Sequence, residues 1–182
     1  KRQDLVLLKP GLDELEGASL IDGTVIDTGE DLTGCIELVS MHFGMKQQMT
    51  TDVSNAARTS GRPSLNDITA TKYLDKTSPL LYKHCLSAAP IDDGANPTQI
   101  FLCRNANLDG GSIIGSIMTV KLWNCMVSSV EAQSHPNDMA TEQITLNFTD
   151  IQWATANQDS QSRITGSYVY DWSVARNRGP MA

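Results

Sequence analysis

The residues of this sequence that could do chemistry are scattered rather than gathered into one motif. The three histidines, His42, His84 and His135, lie in different segments, and no H-E-x-x-H pair is present to hold zinc. The run SHPND from 134 to 138 holds a serine, a histidine and an aspartate, but neighbouring residues cannot form a catalytic relay. The sequence also contains no G-x-S-x-G elbow, P-loop or G-x-G-x-x-G turn. We therefore predict that the chain is not an enzyme.

Two acidic segments could be taken for metal sites. The run NANLDG from 105 to 110 imitates the start of an EF-hand loop, but Ser116 stands where that loop needs a bidentate glutamate. The Asp-Gly pair in this run is typical of a hairpin turn, which needs positive φ angles. We interpret Asp92 and Asp93 as part of a solvated turn. The sequence therefore predicts no bound metal and no cofactor.

Size and charge limit the class of protein. The chain has 182 residues, which suits one domain spanning 1–182 with a substantial core. It has 14 Lys and Arg against 21 Asp and Glu, a net charge of −7, and no basic cluster. Because phosphate binding needs a clustered basic surface, we expect no nucleic acid partner. Aromatic residues make up only 5%, which argues against a platform for stacking bases or sugars.

The cysteines and the N-terminus indicate the environment of the chain. Cys35, Cys85, Cys103 and Cys125 lie far apart, have apolar neighbours and form no C-x-x-C pair. We interpret them as buried thiols, with a disulfide of unknown pairing as the alternative. Near the N-terminus only Leu5 to Leu8 is continuously apolar, which is too short for a signal-peptide core or a membrane span. We therefore expect neither membrane insertion nor a cleavable signal peptide.

Most of the chain has the alternating pattern of strands, with turn signals at short intervals. In the strand 34–44, Val39, Met41 and Phe43 share the better core face, opposite Leu38, Ser40 and His42. Further strands are predicted over 98–104, 113–130 and 144–148, with a bulge near Asp150. Tyr168, Tyr170 and Trp172 share a face of a closing strand.

One helix interrupts the strands. It is predicted over about 78–89, because Ser78 followed by Pro79 is typical of a helix start and Pro90 ends the pattern. The fold predicted from these elements is mainly β, a barrel or a sandwich, with one α-helix. The long polar loop over about 46–63 has little apolar content, and such loops usually bind something or move.

Four runs, in order along the chain, carry a family resemblance. They are IELVSMHFGM from 36 to 45, TKYLDKTSPLL from 71 to 81, MVSSV from 126 to 130 and TEQITLNF from 141 to 148. At these runs the chain resembles the haemolysin-coregulated proteins (Hcp), the tube subunits of type VI secretion systems. The resemblance extends over roughly Leu5 to Val174.

The resemblance implies a structural and carrier role. It implies a small antiparallel β-barrel of two packed sheets with one flanking α-helix. Family members assemble as hexameric rings, and the rings stack into a hollow tube. A contractile sheath ejects this tube with a spike protein at its tip, and small effector proteins travel in the lumen. It also implies a bacterial cytoplasmic location before firing, followed by secretion without a cleavable signal peptide. The alternatives are the tube of a phage tail or other contractile injection device and, less favoured, a monomeric β-sandwich binding module such as a lectin.

The resemblance also suggests which residues serve the tube. The polar loop is the candidate for reaching the next ring or subunit, with Gln48, Asp52, Arg58 and Arg62 as the expected interface residues. Its alternative is a solvated connector. Ser40 and His42, opposite the predicted core face, are the candidates to line the lumen and face effectors. Their alternative is another buried or intersubunit position.

Overall fold

The protein is described by a computed structural model covering residues 3–17, 31–49, 62–108, 111–158 and 164–179. Within these residues it consists of strands, a single turn of 3-10 helix at Asp13–Leu15 and one α-helix, α1, at Ser78–Ser87. The strands are β1 (Gln3–Lys9), β2 (Ile36–Glu37), β3 (Ser40–His42), β4 (Met45–Lys46), β5 (Ser64–Leu65), β6 (Ile68–Tyr73), β7 (Thr98–Leu108), β8 (Gly111–Trp123), β9 (Met126–Gln133), β10 (Thr141–Asn147), β11 (Asp150–Gln158) and β12 (Ile164–Ser173).

The strands form two principal sheets. The larger has six strands in the order β12-β11-β8-β7-β1-β2, and the smaller has four in the order β3-β6-β10-β9. Strands β4 and β5 form a short separate ribbon. All the strand pairs among the described residues are antiparallel. The predicted fold, mainly β with two packed antiparallel sheets and one helix, is confirmed.

The core lies between the two sheets because each strand alternates apolar and polar residues. On β10, Ile144 and Leu146 are fully buried while Gln143 is exposed. The six-stranded sheet contributes fully buried residues to the same core, such as Val120 and Leu122 on β8. These side chains form one cluster that crosses between the sheets. Burial of this continuous apolar surface is the main force that holds the sheets together.

The helix lies across one end of this core. Leu81 on α1 is fully buried, and His84 is also buried, with its Nε2 3.1 Å from Glu14 Oε1 and its Nδ1 3.3 Å from the carbonyl oxygen of Ala89. The helix ends at Ser87, two residues before the predicted end, because Ala88 adopts a left-handed conformation with φ of 50°. It therefore packs as a cap on the core, held by both apolar and polar contacts.

The alternation predicted for 34–44 is wrong at Leu38 and Val39. Leu38 is buried, whereas Val39 is 51% exposed. The backbone N–H of Leu38 donates to Val6 in the six-stranded sheet, and that of Val39 donates to Thr71 in the four-stranded sheet. The chain passes from one sheet to the other at this point, so the side-chain phase shifts. Beyond the crossing, Met41 packs against the core as predicted.

Two other strand predictions change for a similar reason. The predicted strand 113–130 is divided into β8 and β9 by Asn124, whose φ of 51° breaks the extended backbone. The shift expected near Asp150 is not a bulge, because β10 and β11 belong to different sheets and the chain crosses between them there.

Asp92 does not belong to a solvated turn. It is buried, and its carboxylate accepts hydrogen bonds from the backbone N–H groups of Asn124 at 3.0 Å and Cys125 at 2.7 Å. Asp93 is exposed and accepts from the backbone of Asn96, which matches the turn that was predicted. Asp92 thus fixes the crossing that separates β8 from β9.

The cysteines are mostly buried thiols, as predicted. Cys35, Cys103 and Cys125 are fully buried, and Cys85 is partly buried. Burial raises the pKa of the Cys125 thiol far above its usual value, and the nearby Asp92 carboxylate adds to the effect. Cys125 is therefore a small apolar core residue rather than a reactive thiol.

Candidate functional site

The outer side of the four-stranded sheet is covered by polar side chains and is here named the polar face. Cross-strand pairing places His42 beside Thr69, Thr69 beside Thr145, and Thr145 beside Ser129. The next row runs from Ser40 on β3 to Glu131 on β9. The polar face consists of Ser40, His42, Thr69, Thr71, Tyr73, Ser129, Glu131, Gln133, Thr141, Gln143 and Thr145.

This face is polar because the apolar residues of the same strands turn inward. On β6, Ile68 and Ala70 are buried in the core, so the threonines between and after them, Thr69 and Thr71, point outward. Most side chains of the face are hydroxyls or amides. They can exchange hydrogen bonds with water or with a bound protein, and they leave the sheet without a large apolar contact area.

The structure places both residues predicted to face a lumen on the polar face. Ser40 and His42 are exposed on β3, the edge strand of this sheet. A depression of ≈ 360 Å³ includes Thr71, the cross-strand partner of Ser40, together with Gln143 and Glu131 in its lining. The sequence prediction found only one edge of this surface, because the remaining strands join it through pairings between distant segments.

Charged groups on the polar face are few and of one sign. Glu131 is an exposed carboxylate, and the face holds no Lys or Arg. Just beyond its end, Asp67 accepts hydrogen bonds from Asn147 Nδ2 at 2.9 Å and Ser128 Oγ at 3.2 Å. Its carboxylate is thus held at the margin of the face.

A buried ion pair lies directly beneath the polar face. Lys72 and Glu142 are direct cross-strand partners on β6 and β10, and both side chains are fully buried and in contact as an ion pair. The Lys72 ammonium also donates to the Tyr73 carbonyl oxygen at 3.0 Å and to Asp75 Oδ1 at 3.1 Å. Such a buried charge is tolerated only when its hydrogen bonds are satisfied, as they are here.

The same pair holds the start of α1. Glu142 accepts a hydrogen bond from Ser78 Oγ at 2.7 Å through Oε1 and from Tyr82 Oη at 2.6 Å through Oε2. The hydrogen bond to Glu142 raises the pKa of Tyr82 to about 12, with desolvation by burial acting in the same direction. The carboxylate therefore connects β10 with two turns of the helix.

Asp75 completes the cluster from the strand-to-helix turn. Burial by itself would raise the pKa of its carboxyl, but hydrogen bonds from Thr77 and the charge of Lys72 outweigh burial and lower that pKa. The Asp75 backbone N–H also donates to Ser78 Oγ at 3.1 Å. The TKYLDKTSP run thus folds into one hydrogen-bonded junction between β6 and α1.

The two ends of the predicted polar loop are brought together by strands β4 and β5. Lys46 pairs with Ser64, so the segment between them leaves and re-enters the fold at one place. Gln48 and Arg62, at either end, are exposed. The other two predicted interface residues, Asp52 and Arg58, lie outside the residues that the structure describes.

An apolar groove at the root of this loop was not predicted from the sequence. The ribbon of β4 and β5 faces β11 and β12 across it. Tyr170 on the edge strand β12 is 54% exposed in the groove, and Tyr168 on the same face of β12 is 73% exposed. The chief side chains lining it are Met45, Pro63, Leu65, Trp153, Tyr170 and Trp172. The shared face of the aromatic residues on β12 was the only sequence signal for it.

Two classes of site are not found in the described part of the chain. No group of three or more His, Cys, Asp or Glu residues there is arranged to hold a metal ion. Among the described helices, none has the length and apolar character needed to cross a bilayer.

Comparison with known proteins gives consistent matches. Residues 13–154 match the family model described as type VI secretion system effector, Hcp. The chain is 30% identical over 116 residues to protein hcp1 of Pseudomonas aeruginosa, an alignment that covers 63% of this chain and 67% of that protein.

Solved structures show the same fold. A structure described as a type six secretion system protein superposes with a TM-score of 0.77 and 18% identity, covering 97% of this chain and 99% of the other. Hcp1 from Salmonella typhimurium superposes with a TM-score of 0.62 and 18% identity, covering 96% and 97%. At such identities the likeness concerns the fold.

We predict that breaking the buried ion pair destabilises the protein strongly. Lys72→Met leaves the Glu142 carboxylate buried without its cation, and the free energy of unfolding should fall by about 3–5 kcal/mol. The double variant Lys72→Met/Glu142→Leu should recover much of this loss, while Lys83→Met at an exposed position of α1 should change little. Urea denaturation measures all three, and a Lys72→Met variant as stable as the original chain would contradict the prediction.

We predict a specific loss of stability at high pH. The folded-state pKa of Tyr82, about 12, lies above its ordinary value of 10.0, so the Tyr82 contribution is fully present below pH 10 and is lost as the pH rises through about 12. The difference in unfolding free energy between the original chain and Tyr82→Phe should therefore shrink over this range. Chemical denaturation at several pH values tests it, and a constant difference would refute it.

Proposed function

This chain belongs to the Hcp family and is a type VI secretion tube subunit, and we propose that it forms hexameric rings that stack into a hollow tube. In this proposal the polar face lines the lumen of the ring. The observation that carries it is a sheet surface covered by polar side chains, mostly hydroxyls and amides, and backed by the apolar core. Such a surface suits the inside of a water-filled tube, where a large apolar patch would bind contents too tightly.

The lumen would carry or chaperone small effector proteins. Hydroxyl and amide groups such as those of Thr71 and Gln143 give individually weak hydrogen bonds in water. Many such contacts can hold a folded cargo in the ring, yet they allow it to leave after ejection. Ser40 and His42, exposed on the polar face, would be among the residues that contact effectors.

Ring formation requires surfaces on the subunit that meet each other head to tail. If the polar face lines the lumen, the edge strands of its sheet, β3 and β9, are turned toward the two neighbouring subunits. Apolar residues exposed elsewhere on the chain, including Val39 beside β3 and Tyr170 on β12, offer surface that association can cover. The second copy of the chain is the partner that we propose for these surfaces.

The polar loop is proposed to contact the next ring or subunit. Its two ends meet at the ribbon of β4 and β5, where Lys46 pairs with Ser64. Gln48 and Arg62 would act at its base, and Asp52 and Arg58 are proposed to act along it. Exposed polar and charged groups can make specific but reversible contacts between one ring and the next.

The remaining partners follow from the family. We propose a spike protein at the tube tip and a surrounding contractile sheath, with neither nucleic acid binding nor membrane insertion. The subunit would wait in the bacterial cytoplasm and be secreted by the type VI system without a cleavable signal peptide. The family match over residues 13–154 favours this system over a phage tail or other injection device.

The decisive experiment is the assembly state of the purified protein. Sedimentation should give a mass six times that of the 19.8 kDa chain, and negative-stain images should show rings. The expected result arises because the exposed apolar surface is covered on association. A monodisperse monomer at all concentrations, with no rings in the images, would contradict the proposal.

We predict that Arg62→Glu weakens ring stacking without preventing ring formation. The change reverses an exposed charge at the base of the loop and should reduce the fraction of rings found in stacks by about two- to fivefold, the size expected for one exposed ion pair. Lys83→Glu, an equal charge reversal on the exposed side of α1, is the control. Stacks of unchanged length in Arg62→Glu images, with normal rings, would remove Arg62 from the stacking contact.

A further inference from the structure

The polar face carries a carboxylate and no Lys or Arg. Glu131 lies in its middle row, and Asp67 is fixed at its margin by Asn147 and Ser128. The closest lysine in the sheet, Lys72, is turned to the inside and ion-paired with Glu142, so it adds no charge to the face. The only other titratable groups on the face are His42 and Tyr73.

The nearest cations along the chain lie outside this sheet. Lys46 is on the β4–β5 ribbon and Lys76 is in the turn before α1. The protein as a whole is also acidic, with a net charge of −7. A face with these properties attracts cations and repels anions.

Closure of several copies into a ring would strengthen this effect. If the polar faces surround one lumen, each copy contributes Glu131 and Asp67 to the same enclosed space. Like charges arranged around a cleft focus the field into it and raise the local concentration of oppositely charged partners. The neutral hydroxyl and amide groups between the carboxylates supply hydrogen bonds without a competing positive charge.

We propose that the polar face binds basic proteins, and that cargo carrying a positive surface is held in the lumen in preference to acidic cargo. This inference rests on the proposed function, because the charge of the face selects cargo only if the face lines a ring. Glu131 is the principal selecting residue because it is exposed, and Asp67 supports it from the margin. Charge complementarity of this kind governs the choice of partner and the rate of association.

The test uses assembled rings and two dye-labelled peptides of equal length. One peptide carries lysines and the other carries glutamates at the same positions, and binding is followed by fluorescence anisotropy. The rings should bind the lysine peptide and should bind the glutamate peptide more weakly. The preference should diminish as the salt concentration rises, because exposed charges are screened.

Variants assign the preference to the polar face. Glu131→Gln should weaken binding of the lysine peptide by about two- to fivefold, the range expected for loss of one exposed ion pair. Glu131→Lys should shift the preference toward the glutamate peptide. Glu16→Gln removes an exposed carboxylate outside the polar face and should leave binding unchanged.

The outcomes separate this inference from the proposed function. Rings that bind the two peptides equally, or that lose binding as much in Glu16→Gln as in Glu131→Gln, would overturn the cargo inference and leave the tube role standing. Failure to form rings would overturn the tube role and this inference with it. Rings with a lysine preference that depends on Glu131 support both.

Discussion

The buried ion pair between Lys72 and Glu142 is the constraint on which the four-stranded sheet depends. The two residues are direct partners across β6 and β10, so their contact fixes the register of these central strands. A slip of β6 by one residue would turn Lys72 outward, leave Glu142 buried without its cation, and drive the threonines of β6 into the core. The hydrogen bonds of Glu142 to Ser78 and Tyr82 extend the constraint to α1. The pair thus acts together with the apolar core in fixing which side of the sheet faces inward, and it anchors the start of the helix.

The polar face follows from this register. Because side chains alternate along a strand, inward Lys72 and Glu142 require outward Thr71 and Gln143 beside them. The Lys72–Glu142 ion pair therefore lies inside the sheet, and most side chains on the outer surface are hydroxyls and amides. The same two strands thus keep their buried charges on one side and their water-facing polar groups on the other.

The sequence predicted the helix and the strands better than it predicted the contacts between segments that are distant along the chain. Local patterns were enough for the Ser78-Pro79 helix start and for the alternation of Ile144 and Leu146, because periodicity and capping are properties of neighbouring residues. The burial of Lys72 was not predictable in this way, since its counter-charge lies about 70 positions further along the chain. The groove at the loop root escaped prediction for the same reason: it is assembled from segments near 45, 64, 153 and 171. The crossing at Leu38 and Val39 was also missed, because alternation assumes that a strand stays in one sheet.

The separation of the two sides also determines how this surface can vary. Substitutions of Lys72 or Glu142 on the inner side break the ion pair and its hydrogen bonds, and an unpaired buried charge destabilises the fold by several kcal/mol. Changes at outward positions such as Glu131 or Gln143 meet water and carry little cost in stability. The charge of the polar face can therefore change in sequence while the register, the helix junction and the core stay the same. In the tube that we propose, cargo preference would therefore depend on surface side chains, and changing it would leave the folded subunit intact.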